Sequence, residues 1–319
     1  MSVNKLAWCL LEKLVEKSAL YKVKVEMTSQ GTTIVDAGIE AEGGFQAGRL
    51  ITEICLGGLG KTRVSCREYD DLTLQSIFVR TNHPAVAALG SQFAGWRLSD
   101  EGYSAIGSGP ARALALKPKE LYEEIRYKDE SDKAVVVLET EKPPPLRLID
   151  HIAEDCNIQA AKLAVILTPT TSSAGSTQIA GRIVETGLHK LRRLGLDPVK
   201  VQSAWGYAPI APVHPKFAKA MGRTNDAILY GGTSSYTVDY GDEEKLKKIV
   251  EKAPSSASSA YGKTFYDIFK DAGYDFYKID PDLFAPAMII INNVRTGRKF
   301  KSGKVNVQML KKSFDLTSK

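Results

Sequence analysis

Residues 161–185 read AKLAVILTPTTSSAGSTQIAGRIVE. The unbroken apolar run Leu163–Leu167 predicts a strand over 162–168 buried on both faces. Pro169 ends it, and a helix is expected to start among the hydroxyl residues that follow and to continue through TGLHKLRRLGL, residues 186–196. At about 100° per residue, Ile179, Ile183, Val184, Leu188, Leu191 and Leu194 make one apolar face. Gln178, Arg182, Glu185, His189 and Arg192 fall opposite. An Arg and a Glu three apart on such a face read, by spacing alone, as a solvated ion pair worth about 0.3–0.5 kcal/mol. Ala180 and Gly181 beside Arg182 are unusual, because glycine in a first helical turn costs about 1 kcal/mol. Small residues there leave room for something to approach the backbone.

Outward from this stretch, helix and strand patterns alternate. A helix is expected at 5–17, then a hairpin from YKVKVEMT and TTIVDAG around Ser29-Gln30-Gly31. Residues 45–56 read as a helix, TRVSCRE and LTLQSIFVR as strands, and 83–92 as a helix started by Pro84. KAVVVLE is a buried strand. Pro143-Pro144-Pro145 cannot continue a helix or a central strand and forms a stiff connector. That run divides the chain into expected αβ domains at 1–142 and 146–319, with the C-terminal strand free to return to the first. Beyond it come a helix at 146–156, a strand at 200–205, a Pro-rich loop YAPIAPVHP, and strands near 226–240. Helices at 242–252 and 263–272, the strand AMIIINN, and a terminal hairpin and helix complete the chain. The frequent hairpins favour α+β over a doubly wound sheet.

Several function classes are excluded. No run of about 18 apolar residues exists, so no membrane span is expected. Cysteines 9, 55, 66 and 156 are scattered without a Cys-x-x-Cys and are expected to be reduced in a cytoplasmic protein. The four histidines stand apart, with no His-Glu-x-x-His, so no metal centre is expected. A net charge of +6 suits anionic small molecules and nucleic acid alike, but no aromatic–basic module marks nucleic-acid binding. GSGPARA, residues 107–113, fails as a dinucleotide fingerprint because Pro110 sits in the turn and the third small residue is missing.

Candidate ligand contacts follow from residue type. Thr171, Ser172, Ser173, Ser176 and Gln178 lie between a strand's C-terminal end and a helix start, where polar ligands bind. Ser173 or Ser176 is expected to cap the helix. Gly107, Ser108, Gly109 and Arg112 form a turn able to take a phosphate or carboxylate. Tyr230, Ser234 and Ser235, in YGGTSSY, are candidates for a second wall, and Tyr207 and Phe284 for stacking on a ring.

The stretch GSTQIAGRIVET, with TNHPAVAALGSQFAGW, IGSGPARALALKPKELYE, MGRTNDAILYGG and YDFYKIDPDLFAPA, closely resembles the methenyltetrahydromethanopterin cyclohydrolases. The resemblance runs from about Val3 to the C-terminal helix. It implies two αβ domains with the pterin in a pocket between them, a cytoplasmic homotrimer, and no metal or redox cofactor. It also implies reversible hydrolysis of the 5,10-methenyl carrier to the 5-formyl form. The family's catalytic Arg and Glu, three apart, fall on Arg182 and Glu185. The competing reading is a non-catalytic pterin- or nucleotide-binding protein on the same scaffold.

Overall fold

The computed structural model describes residues 1–275 and 278–316. Phe276 and Tyr277 of the YDFYKIDPDLFAPA motif and the last three residues lie outside them. The chain forms two compact units, 1–62 with 85–178, and 63–84 with 179–319. Each has its own mixed sheet and helices, which is the α+β class expected.

The first unit begins with α1 (Val3–Glu16), the single turn α2 (Ser18–Tyr21), β1 (Lys24–Met27), β2 (Thr33–Asp36) and α3 (Phe45–Cys55). The chain leaves through β3 (Gly60–Tyr69) and β4 (Leu72–Thr81), then returns. Ala85–Gln92 wind as a π-helix rather than the α-helix expected. There follow β5 (Trp96–Asp100), β6 (Tyr103–Ser108), α4 (Ala111–Ala115), α5 (Lys119–Ile125), β7 (Ala134–Glu139), α6 (Leu146–Asp155), β8 (Leu163–Leu167) and α7 (Ser173–Ala180). Pro143–Pro145, read as the connector, lies inside this unit between β7 and α6.

The sheet order is β1-β2-β8-β7-β6-β5, with β2, β8 and β7 mutually parallel. Central parallel strands are covered on both sides, which is why β8 is apolar at every position. Ala164 and Ile166 enter the core under α1 and α3, while Leu163, Val165 and Leu167 enter the core under α6. Helix α3 approaches α7 closely at Gly48, where an added Cβ would sit 2.5 Å from the Ala174 carbonyl oxygen. Gly48→Ala is therefore expected to cost about 1–3 kcal/mol, read as a lower urea midpoint. An unchanged midpoint would mean the two helices separate freely.

The second unit holds β3 and β4, then α8 (Ile183–Arg193), β9 (Val201–Pro209), α9 (Phe217–Gly231), β10 (Thr233–Val238), α10 (Glu243–Glu251), α11 (Phe265–Asp271), β11 (Met288–Asn293), β12 (Lys299–Gly303) and α12 (Val307–Ser313). Two expectations are corrected here. Strand β9 continues into the presumed Pro-rich loop as far as Pro209, pairing with β4. The segment 217–231 is a helix, and the strand expected near 226 begins only at Thr233. The sheet order is β12-β11-β10-β9-β4-β3, with β10 and β11 parallel and the β9–β10, β11–β12 and β4–β9 pairs antiparallel. β11 shows the alternation of a sheet with one well-covered face: Ile289 and Ile291 are fully buried, while Met288 and Ile290 are partly open.

Candidate functional site

The helix expected to run unbroken through GSTQIAGRIVE is two helices. Helix α7 ends at Ala180, Gly181 and Arg182 form a turn, and α8 starts at Ile183. The Arg182 N–H reaches back to the Ile179 carbonyl at 2.9 Å, and the Arg182 carbonyl accepts from Thr186 N–H at 2.8 Å. Arg182 thus caps α8, and Glu185 lies in its first turn. A carboxylate there is favoured by the amide dipoles of the helix start. Spacing alone suggested a solvated pair. Instead Arg182 is 8% exposed and Glu185 6%. Charged groups are almost never buried this far unless their charges are answered, so the turn is built to hold them.

The hydroxyl-rich loop before α7 belongs to the first unit. Its cap is Ser172, neither Ser173 nor Ser176: the Ser172 hydroxyl accepts from Gly175 N–H at 3.0 Å and donates to the Pro169 carbonyl at 2.8 Å. Gly175 is obligatory, since a Cβ would lie 2.0 Å from the Pro169 carbonyl oxygen. Thr170 donates to Glu139, Thr177 donates to the Ser173 carbonyl at 2.7 Å, and Thr171 lies 3.4 Å from Glu141. Ser176 and Gln178 are buried, while Thr171 and Ser173 keep partial exposure.

The Gly107–Arg112 turn is occupied by the protein itself. Gly107 and Ser108 end β6, and Gly109 N–H donates to the Ser91 carbonyl. Arg112 is wholly buried. Its guanidinium donates to the carbonyls of Lys117, Leu89 and Ser91 at 2.9, 3.1 and 3.3 Å and lies 5.1 Å from the Phe93 ring centre. That cation is committed to the π-helical segment rather than turned toward an anion.

In the second unit the YGGTSSY residues separate. Tyr230 belongs to α9, and its hydroxyl donates to the Lys263 carbonyl at 2.5 Å within another core. Ser234 and Ser235 lie on β10 and point to opposite faces of the sheet. Ser234 faces α8, where a Cβ on Gly187 would sit 2.6 Å from its Oγ. Tyr207 is already covered by the Arg67 guanidinium, 3.5 Å from its ring centre, and Phe284 packs edge-on to Phe265. His189, one turn beyond Glu185, is held neutral: burial, with Arg192 and Arg193 nearby, pushes its imidazole down to about 4. Among the described residues no three His, Cys, Asp or Glu side chains group as metal ligands, and no helix is long and apolar enough to cross a membrane. Cys55 and Cys156 are buried thiols, Cys9 and Cys66 exposed ones.

Tyr236 and Gly187 were not singled out by sequence reasoning. The available signal was a glycine inside an otherwise good helix, at position 187.

The model of the cyclohydrolase family, Cyclohydrolase (MCH), matches residues 2–314. The methenyltetrahydromethanopterin cyclohydrolase of Methanothermobacter thermautotrophicus is 46% identical over 319 residues, covering 99% of this chain and 100% of its own. The protein of that name from Methanococcoides burtonii is 43% identical over 316 residues, covering 99% of each chain. With the match spanning both units and the turn that holds Arg182 and Glu185, the chain belongs to the methenyltetrahydromethanopterin cyclohydrolase family.

Proposed function

We propose that this chain reversibly adds water to 5,10-methenyltetrahydromethanopterin to give the 5-formyl carrier, with Glu185 as the proton acceptor and Arg182 beside it. Family membership and full-length identity support the activity. The observation that carries the residue assignment is the burial of both groups at the α7–α8 turn, on the residues that match the family's pair.

The substrate carbon sits in a cationic N–C–N unit and is electrophilic. Water adds through oxygen while Glu185 takes one of its protons. The adduct then breaks one C–N bond, and the second proton passes to the departing nitrogen. The products are a neutral formyl compound and one proton, so charge balances. Arg182, at the cap of the same helix, supplies a positive charge near the start of α8. It also faces the oxygen as negative charge develops there.

The test is the ultraviolet absorbance of the methenyl carrier. Purified protein is expected to accelerate its loss well above the uncatalysed rate in the same buffer. Equal rates with and without protein would overturn the reading.

A further inference from the structure

Helix α8 is held from the sheet at its first turn. Tyr236, on β10, is fully buried, and its hydroxyl donates to the Val184 carbonyl at 2.8 Å. The Leu188 N–H and the Ser234 hydroxyl lie near the Tyr236 hydroxyl. The phenol stands against the first turn of α8, at the carbonyl of the residue just before Glu185. Gly187 makes the approach feasible, since a Cβ there would lie 2.2 Å from the Tyr236 hydroxyl oxygen. Burial pushes the phenol well above its ordinary range, so it remains a donor at every working pH. The grip sits one residue before Glu185 and two after Arg182.

We propose that Tyr236 is a positioning residue for the reaction: its hydroxyl, seated against Gly187, fixes the rotation and height of the first turn of α8 and so the direction in which Glu185 projects. This rests on the reading of Glu185 as proton acceptor. It assigns to a sheet residue a kinetic role that acts only through the helix.

The test is Tyr236→Phe, which removes one oxygen and keeps the ring. Per folded molecule, kcat is expected to fall about 10- to 100-fold with KM changed less than about threefold, because a misplaced base slows chemistry more than binding. The acid limb of the kcat/KM profile is expected to move, since the carboxylate then sits in a changed setting. Replacing Tyr236 by 3-fluorotyrosine, which keeps the donor, is expected to restore turnover. Unaltered kcat and pH profile in Tyr236→Phe would overturn the proposal. So would a variant that does not fold, because the hydroxyl would then serve the fold rather than Glu185. Glu185→Gln is measured alongside: if it turns over normally, the reading of Glu185 fails, and a null result for Tyr236 alone leaves that reading standing.

Discussion

Glu185→Gln is expected to bind the methenyl carrier within about threefold of the parent and to lose turnover by a factor of about 10²–10⁴, the usual worth of a positioned general base. Glutamine has the same shape and fills the same space in the first turn of α8. It cannot take a proton from water, and the forward reaction releases one proton for each bridge opened. Binding should survive because the contour of the site is unchanged. The loss should fall on kcat, as for an interaction made mainly in the transition state. Initial rates at saturating carrier, with equilibrium binding measured separately, check both halves. A variant turning over within about tenfold of the parent would remove Glu185 from the mechanism.

Asp226→Asn is expected to make the protein more stable at pH 8 and to leave it little changed at pH 4. Asp226 lies on α9, entirely buried. Its carboxyl accepts from Phe265 N–H at 2.9 Å, at the start of α11, and from the Ser313 hydroxyl at 2.6 Å, at the end of α12. Burial nevertheless pushes it up to about 7 from an ordinary 3.8, against the help of those two donors. The folded protein thus holds this proton more tightly than the unfolded chain does. Its contribution is fully present below pH 3.8 and is lost as pH rises through 7. A rise of about 3 units corresponds to roughly 4 kcal/mol between those limits. Asparagine keeps an acceptor for Phe265 N–H, offers a donor to Ser313, and does not titrate. Urea unfolding of both proteins at pH 4, 6 and 8 reads the difference, in which all other titrations cancel. A gap between the two that is the same at every pH would place the proton elsewhere.

The sheets were readable because burial on one face or two leaves its own period. LAVIL and MIIINN announce their strands, and the polar alternation of YKVKVEMT and TRVSCRE marks hairpin strands. Segment 217–231 misled because Ala227-Ile228-Leu229-Tyr230 ahead of two glycines resembles a strand and its turn. Yet Ala220, Met221, Thr224, Ala227 and Ile228 are buried at helical spacing, and packing on α11 and α12 decides the matter. Arg112 marks a different limit. A cation after a glycine turn has the same spelling whether it awaits an anion or already serves three carbonyls. Arg182 and Glu185 were legible as a pair, but their burial was not, since a wheel shows which way a face points and not what stands before it. Tyr236 is the extreme case. Its partner is a backbone carbonyl 52 residues away, and main-chain atoms leave no mark in a side-chain pattern.

The nesting of the two units has a consequence for synthesis. The hairpin of β3 and β4 leaves the ribosome early, yet β4 must wait for β9, about 120 residues later, to complete its pairing. At about 5–20 residues per second that wait is roughly 6–24 s. During it the nascent chain displays a ten-residue strand with one bonding edge unmet, carrying Ile77, Phe78 and Val79. An unpaired apolar edge recruits other strands. Elongation speed and chaperone supply should therefore govern the yield of folded enzyme more strongly than its final stability would suggest. Slowing translation between codons 82 and 200 should lower that yield, while slowing it after codon 210 should not.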